Sequence, residues 1–97
     1  MKNLVEIKMI LQGYKEELRK KYGIKEIGIF GSYVREEQKE ISDVDILVEF
    51  EKTPDLLKFI EIERYLEELI DVKVDLVRKK ILRDELKPYI LKEVIVL

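Results

Sequence analysis

Cysteine, histidine and tryptophan are absent from the 97 residues, and proline occurs only twice. Without cysteine there is no disulfide and no thiol chemistry, and without histidine there is neither an imidazole base nor the usual Cys/His zinc site. Any catalysis must rest on carboxylates, hydroxyls, lysine and arginine. No apolar run approaches the roughly 20 residues that cross a bilayer, and the start, Met1-Lys2-Asn3-Leu4-Val5-Glu6, lacks the apolar region of a signal peptide. The expectation is a cytoplasmic protein without membrane contact. Net charge is only −2 although 41% of the residues are charged, an even mixture that describes a solvated surface and argues against binding of long nucleic acid. A hydrophobic fraction of 46% in a chain of this length predicts one domain, residues 1–97, with its own core.

What is there alternates between two periods. Leu4, Ile7, Leu11, Tyr14, Leu18 and Tyr22 follow helical spacing and Gly23 supplies a stop, so an amphipathic helix is predicted over about residues 3–22. Ile24 to Phe30 reads as a strand with Ile27 and Ile29 on one face and runs into Gly31-Ser32, where Ser32 can cap a short helix through Arg35 and Glu37. A loop around Lys39 to Ser42 then leads to a second strand. Thr53-Pro54-Asp55 predicts a helix start with Thr53 as cap and Pro54 in the first turn, and Leu56, Ile60, Leu66, Leu69 and Ile70 form its apolar stripe. A third strand is predicted over Val72–Val77, short helical pieces follow with Pro88 opening the last, and Val94 to Leu97 adds a terminal strand.

The chemistry concentrates in three aspartates. Asp43 and Asp45 stand two residues apart in an apolar, β-branched run, so a strand projects them side by side. Two carboxylates that close repel by a few kcal/mol at an effective dielectric of about 20, which calls for a cation such as Mg²⁺. In the third strand Val72, Val74 and Leu76 share one face and leave Asp75 on the other, as Val44, Ile46, Val48 and Phe50 do for Asp43 and Asp45. Packing both apolar faces on one helix layer brings the three aspartates together on the opposite face. Beside them, Gly31 permits close approach of backbone to a phosphate, and free amides after it favour negative charge.

Gly31-Ser32-Tyr33-Val34-Arg35 through Ser42-Asp43-Val44-Asp45, with Asp75 later, resembles the DNA polymerase beta-like nucleotidyltransferases, and nearly the whole chain resembles their minimal, MNT-type members. That resemblance implies an α/β (α+β) fold, a small mixed β-sheet with helices mainly on one face. It implies a Mg²⁺-dependent transfer of AMP from ATP with release of pyrophosphate, with two ions held by Asp43, Asp45 and Asp75 as both catalytic and metal-binding residues. Gly31, Ser32 and Arg35 are the implied nucleotide-binding residues. The implied partner is a HEPN-domain toxin whose tyrosine is adenylylated, the chain acting as its antitoxin; ATP is the other partner, and the sequence leaves open whether a homo- or hetero-oligomer forms. Val34 and Glu36 replace the small residues usual after the serine.

Competing readings attach to each feature. Gly31-Ser32 also fits a plain strand-to-helix turn, Asp43 a solvent-facing residue at a strand start, and Asp75 an exposed residue of an alternating strand. Arg35 suits either a triphosphate or an ion pair with Glu36, Glu37 or another acid. Tyr33 suits packing, nucleotide contact or modification, and Arg78, Lys79, Lys80 and Arg83 suit solvated charge. For the whole chain, the alternatives are an antitoxin that neutralises by occlusion alone, or nucleotidyl transfer to a small molecule.

Overall fold

Two capped helices and a four-stranded sheet carry the architecture, in a computed structural model that describes residues 2–39 and 42–97. Helix α1, Leu4–Tyr22, starts where Asn3 Oδ1 accepts the Glu6 amide at 3.0 Å and ends at Gly23, left-handed at φ 68°, whose amide donates to the Arg19 carbonyl. A residue with that φ is best a glycine, because a Cβ there meets the backbone. Arg19, Lys20 and Lys21 in the last turn complement the helix dipole. Strand β1, Ile24–Phe30, follows directly, then β2, Val44–Phe50, helix α2, Leu56–Ile70, and β3, Val74–Arg78. A 3₁₀ turn at Lys79–Ile81 leads to helix α3, Lys87–Glu93, with Pro88 in its first turn, and to β4, Ile95–Val96.

The sheet order is β3-β2-β1-β4, with β2 and β3 parallel and the other pairs antiparallel. A parallel pair needs a crossover, which α2 provides. One face packs under α1 and α2, joining Ile7, Leu11 and Leu18 to Ile27, Ile29, Ile46, Val48, Ile62, Leu66 and Ile70. Each such side chain contributes about 1.5–3 kcal/mol by leaving water. The other face carries a smaller cluster, Phe30, Leu47 and Leu82, covered by Ile90 and Val94 of the C-terminal segment. Helices thus lie mainly on one face, as the family resemblance implies, with α3 alone on the other. Among the described residues no helix is long and apolar enough to cross a membrane.

The sheet's β3 edge is closed by side chains of the crossover helix. Glu67 Oε2 and Glu63 Oε2, one turn apart on α2, each accept a β3 amide at 3.0 Å, from Val74 and Leu76 respectively. Those donors would otherwise face solvent as a pairing template. Between α1 and α2, the Tyr22 and Tyr65 rings meet edge to face at 5.5 Å, Tyr65 donates to the Glu17 carboxylate, and Lys21 Nζ lies 4.6 Å from the Tyr65 ring centre.

Several local expectations change. Helix α2 is capped by Asp55, whose Oδ1 accepts the Lys58 amide at 2.8 Å, so Thr53 and Pro54 lie before the helix. Its buried stripe is Ile62, Leu66 and Ile70, flanked by Phe59 and Leu69, whereas Leu56 and Ile60 remain 71% and 38% exposed. Apolar residues occur on two sides of this helix, and packing against the sheet selects one of them. On α1, Tyr14 sits at the margin of the stripe and keeps 41% of its surface exposed, as suits a ring with a polar tip. The helix expected after Ser32 does not form. Residues 31–36 make turns instead, with the Gly31 carbonyl accepting the Val34 and Arg35 amides and Glu36 left-handed at φ 60°, which breaks helical continuity. The third strand starts at Val74, two residues later than expected. The centre of the loop expected around Lys39 to Ser42 lies outside the described residues; at its ends Ser42 Oγ accepts the Lys39 amide at 2.8 Å.

Candidate functional site

The sheet register brings the acidic residues together. Asp45 stands opposite Phe30 in the β1–β2 ladder and opposite Asp75 in the parallel β2–β3 ladder. Val44, Ile46, Val74 and Leu76 point into the helix-covered core, so strand alternation turns Asp43, Asp45 and Asp75 to the other face. Asp45 is half-buried, and Asp43 and Asp75 are exposed. Burial first, then the charges of Asp75 and Asp43, push the Asp45 carboxyl up from an ordinary 3.8 to about 6, with Arg35 opposing and Glu93 adding to the rise. The site is therefore an anionic cluster with one guanidinium beside it.

Gly31 ends β1 against this cluster. Its φ is 83°, and a Cβ built on it would lie 1.9 Å from Asp45 Oδ2. Both the left-handed backbone and the space taken by the carboxylate require glycine. The turn after it places Arg35, whose Nε donates to Glu37 Oε1 at 2.7 Å and whose Nη1 donates to Glu93 Oε1 at 2.8 Å. Arg35 is thus ion-paired to Glu37 and to a second acid, and Glu36 is not among its partners. Ser32 caps no helix, and its carbonyl accepts the Glu37 amide at 2.9 Å. Tyr33 is 1% exposed and belongs to the core, so its ring packs; burial, with Asp43 nearby, raises its phenol. Of the basic run after β3, Lys79 pairs with Glu26 at 3.4 Å and Arg83 with Glu85 at 3.9 Å, as surface charge does.

Glu93 was not legible as a site residue. It sits at the end of α3, yet its Oε2 accepts the Gly31 amide at 2.8 Å, and its contact to Arg35 completes a bridge between the two. The signal that finds it is tertiary: 62 positions separate it from Gly31, and only the pairing of β4 with β1, Gly28 to Val96 and Ile29 to Ile95, brings it there. Gly28 allows that approach, since a Cβ on it would come within 2.7 Å of Val94 Cγ2.

The donor set fits a hard divalent cation. Among the described residues no three acidic groups converge tightly enough to enclose an ion by themselves, but Mg²⁺ commonly takes one or two carboxylates and completes its octahedron with phosphate oxygens and water. A half-buried carboxylate raised by burial and by neighbouring like charges is the kind of group that such a cation stabilises.

The chain has relatives in both sequence and structure. The family described as "Nucleotidyltransferase domain" matches residues 11–97. The chain is 56% identical over 95 residues to the protein adenylyltransferase MntA of Thermococcus cleftensis, covering 98% of this chain and 96% of that protein. It is similar to a solved structure provisionally named a minimal nucleotidyltransferase, with 32% identity and a TM-score of 0.75 over 94% of this chain and 95% of the other. It is also similar to a crystal structure of a toxin–antitoxin with AMP-PNP, with 25% identity and a TM-score of 0.69 over 94% of this chain and 68% of the other.

Proposed function

Since the chain belongs to the nucleotidyltransferase family, we propose that it is a Mg²⁺-dependent protein adenylyltransferase that moves AMP from ATP to a tyrosine of a HEPN-domain toxin, and so acts as its antitoxin. The observation that carries the reading is the alignment of Asp45 with Asp75 across β2 and β3, beside a glycine turn whose backbone abuts Asp45. The relatives named above support the protein acceptor and the toxin partner.

Asp43 and Asp45 would hold Mg²⁺ together with the nucleotide's phosphates, and Asp75 would complete the set for a second ion. Bound there, the metal supplies two effects: a lower pKa for the attacking hydroxyl and charge neutralisation on the departing pyrophosphate. The Gly31 amide and the Arg35 guanidinium bind the β- and γ-phosphates, one as a directed donor and the other as a fork. With the triphosphate held, the tyrosine oxygen forms a bond to the α-phosphorus while the bond to the β-phosphate oxygen breaks. Asp75 accepts the hydroxyl proton as pyrophosphate leaves. No imidazole is needed, in keeping with the absence of histidine.

The test is transfer of label from α-labelled ATP to protein in a host lysate with Mg²⁺, comparing the native chain with Asp45→Asn. A labelled band that needs both Mg²⁺ and Asp45, mapped by mass to a tyrosine, is the expected result. ATP binding without any Asp45-dependent labelled protein would refute the protein-acceptor reading and leave small-molecule transfer or occlusion.

A further inference from the structure

A carboxylate of the chain itself occupies the place that the proposed function gives to a phosphate. Glu93 spreads its two oxygens over two donors, Oε2 on the Gly31 amide and Oε1 on Arg35 Nη1, both at 2.8 Å. Those lengths are of the charge-assisted class, and the pattern of one backbone amide plus one guanidinium is how a phosphate oxygen pair is gripped. The placement runs against the local preference of α3, because the last turn of a helix favours cations and disfavours a carboxylate. It also adds a fourth negative group near Asp45, whose carboxyl it helps to raise. The contacts to Gly31 and Arg35 offset both penalties.

We propose that Glu93 is a tethered competitor for the triphosphate, setting the affinity for nucleotide by holding Gly31 and Arg35 until phosphate displaces it; this rests on the nucleotidyltransferase reading of the site. Displacement needs no movement of the backbone. Helix α3 stays anchored through Ile90 and Val94 on Phe30, Leu47 and Leu82, and the Glu93 side chain, one-fifth exposed, can swing to solvent about its own χ angles. Its departure also removes one charge from a cluster of four carboxylates as a more highly charged anion arrives. A nucleotide with β- and γ-phosphates must compete with Glu93, whereas AMP, which has neither, does not.

The experiment is calorimetric titration of the full chain with Mg²⁺–ATP and, separately, with AMP, for the native protein, Glu93→Gln and Glu93→Ala. Both variants should bind ATP about tenfold more tightly, the factor expected if roughly one native molecule in ten has the site open, with AMP affinity unchanged. Glu93→Gln keeps the side chain's size and reads the effect if Glu93→Ala unfolds. ATP affinity unchanged or weakened in the variants, with native binding measurable, would overturn the competitor role and favour a ligand role for Glu93, leaving the nucleotidyltransferase reading intact. Equal tightening toward ATP and AMP would also overturn it, because the competition would then not lie at the β- and γ-phosphates. Absence of ATP binding by every form would overturn both the inference and the reading beneath it.

Discussion

Asp45→Asn should make the metal-free protein more stable at neutral pH, and the gain should vanish in acid. The native fold holds the Asp45 carboxyl at about 6 against an ordinary 3.8, because the group is half-buried and faces Asp75 and Asp43. A carboxyl raised on folding binds its proton more tightly in the native state than in the unfolded chain. Stability from this group is therefore greatest below the unfolded value, declines as pH climbs from about 4 to about 6, and is fully lost above that. One pKa unit corresponds to about 1.4 kcal/mol, so a rise of roughly two units sets a ceiling of about 3 kcal/mol, and partial exposure reduces this to about 1–2 kcal/mol. Asparagine has nearly the same shape and no charge. Urea unfolding in EDTA should show Asp45→Asn ahead by about that amount at pH 7.5 and level with the native chain near pH 4. In melting terms the gain is on the order of 5–10 °C for a chain of this size. On the proposed role of Asp45 as a metal ligand, adding Mg²⁺ should reverse the order, since an ion held by the native carboxylates stabilises the form that keeps all three more than the variant. An asparagine variant that is less stable at pH 7.5 without metal, or whose advantage is the same at both pH values, would refute the electrostatic account of this site.

Two further outcomes follow from the backbone. Gly31→Ala should destabilise by about 1–3 kcal/mol, as strain at a left-handed position, and should abolish label transfer, because the new Cβ must push Asp45 aside; a variant with native melting and native transfer would show that the turn is looser than its geometry. Asp71, left-handed at φ 55° at the end of α2, should accept glycine with a gain of up to about 1 kcal/mol, visible as a melting rise with unchanged transfer activity.

The sequence by itself determined the elements and the acidic constellation. Helix α1 carries both of its stop signals, Gly23 and the basic last turn, within its own residues. Around the aspartates β2 and β3 alternate, and a period of two assigns a face to each side chain there without knowledge of the partner strand. That period alone puts Asp43, Asp45 and Asp75 on one face, and the register sets Asp45 beside Asp75. Where the local code was degenerate, tertiary contact decided. Helix α2 has apolar residues on two sides, and contact with the sheet buries Ile62, Leu66 and Ile70 while leaving Leu56 and Ile60 outside. Thr53 is the cap that the local pattern suggests, but Asp55 is the residue whose carboxylate reaches a free amide. After Ser32 the left-handed Glu36 ends what local propensity would continue. Glu93 is the clearest case: nothing in Leu91-Lys92-Glu93-Val94 marks a site, because its partners, Gly31 and Arg35, reach it only when β4 closes on β1. Faces are local, since they follow from backbone period; a contact between residues some 60 positions apart depends on strand order, and strand order exists only in the folded chain.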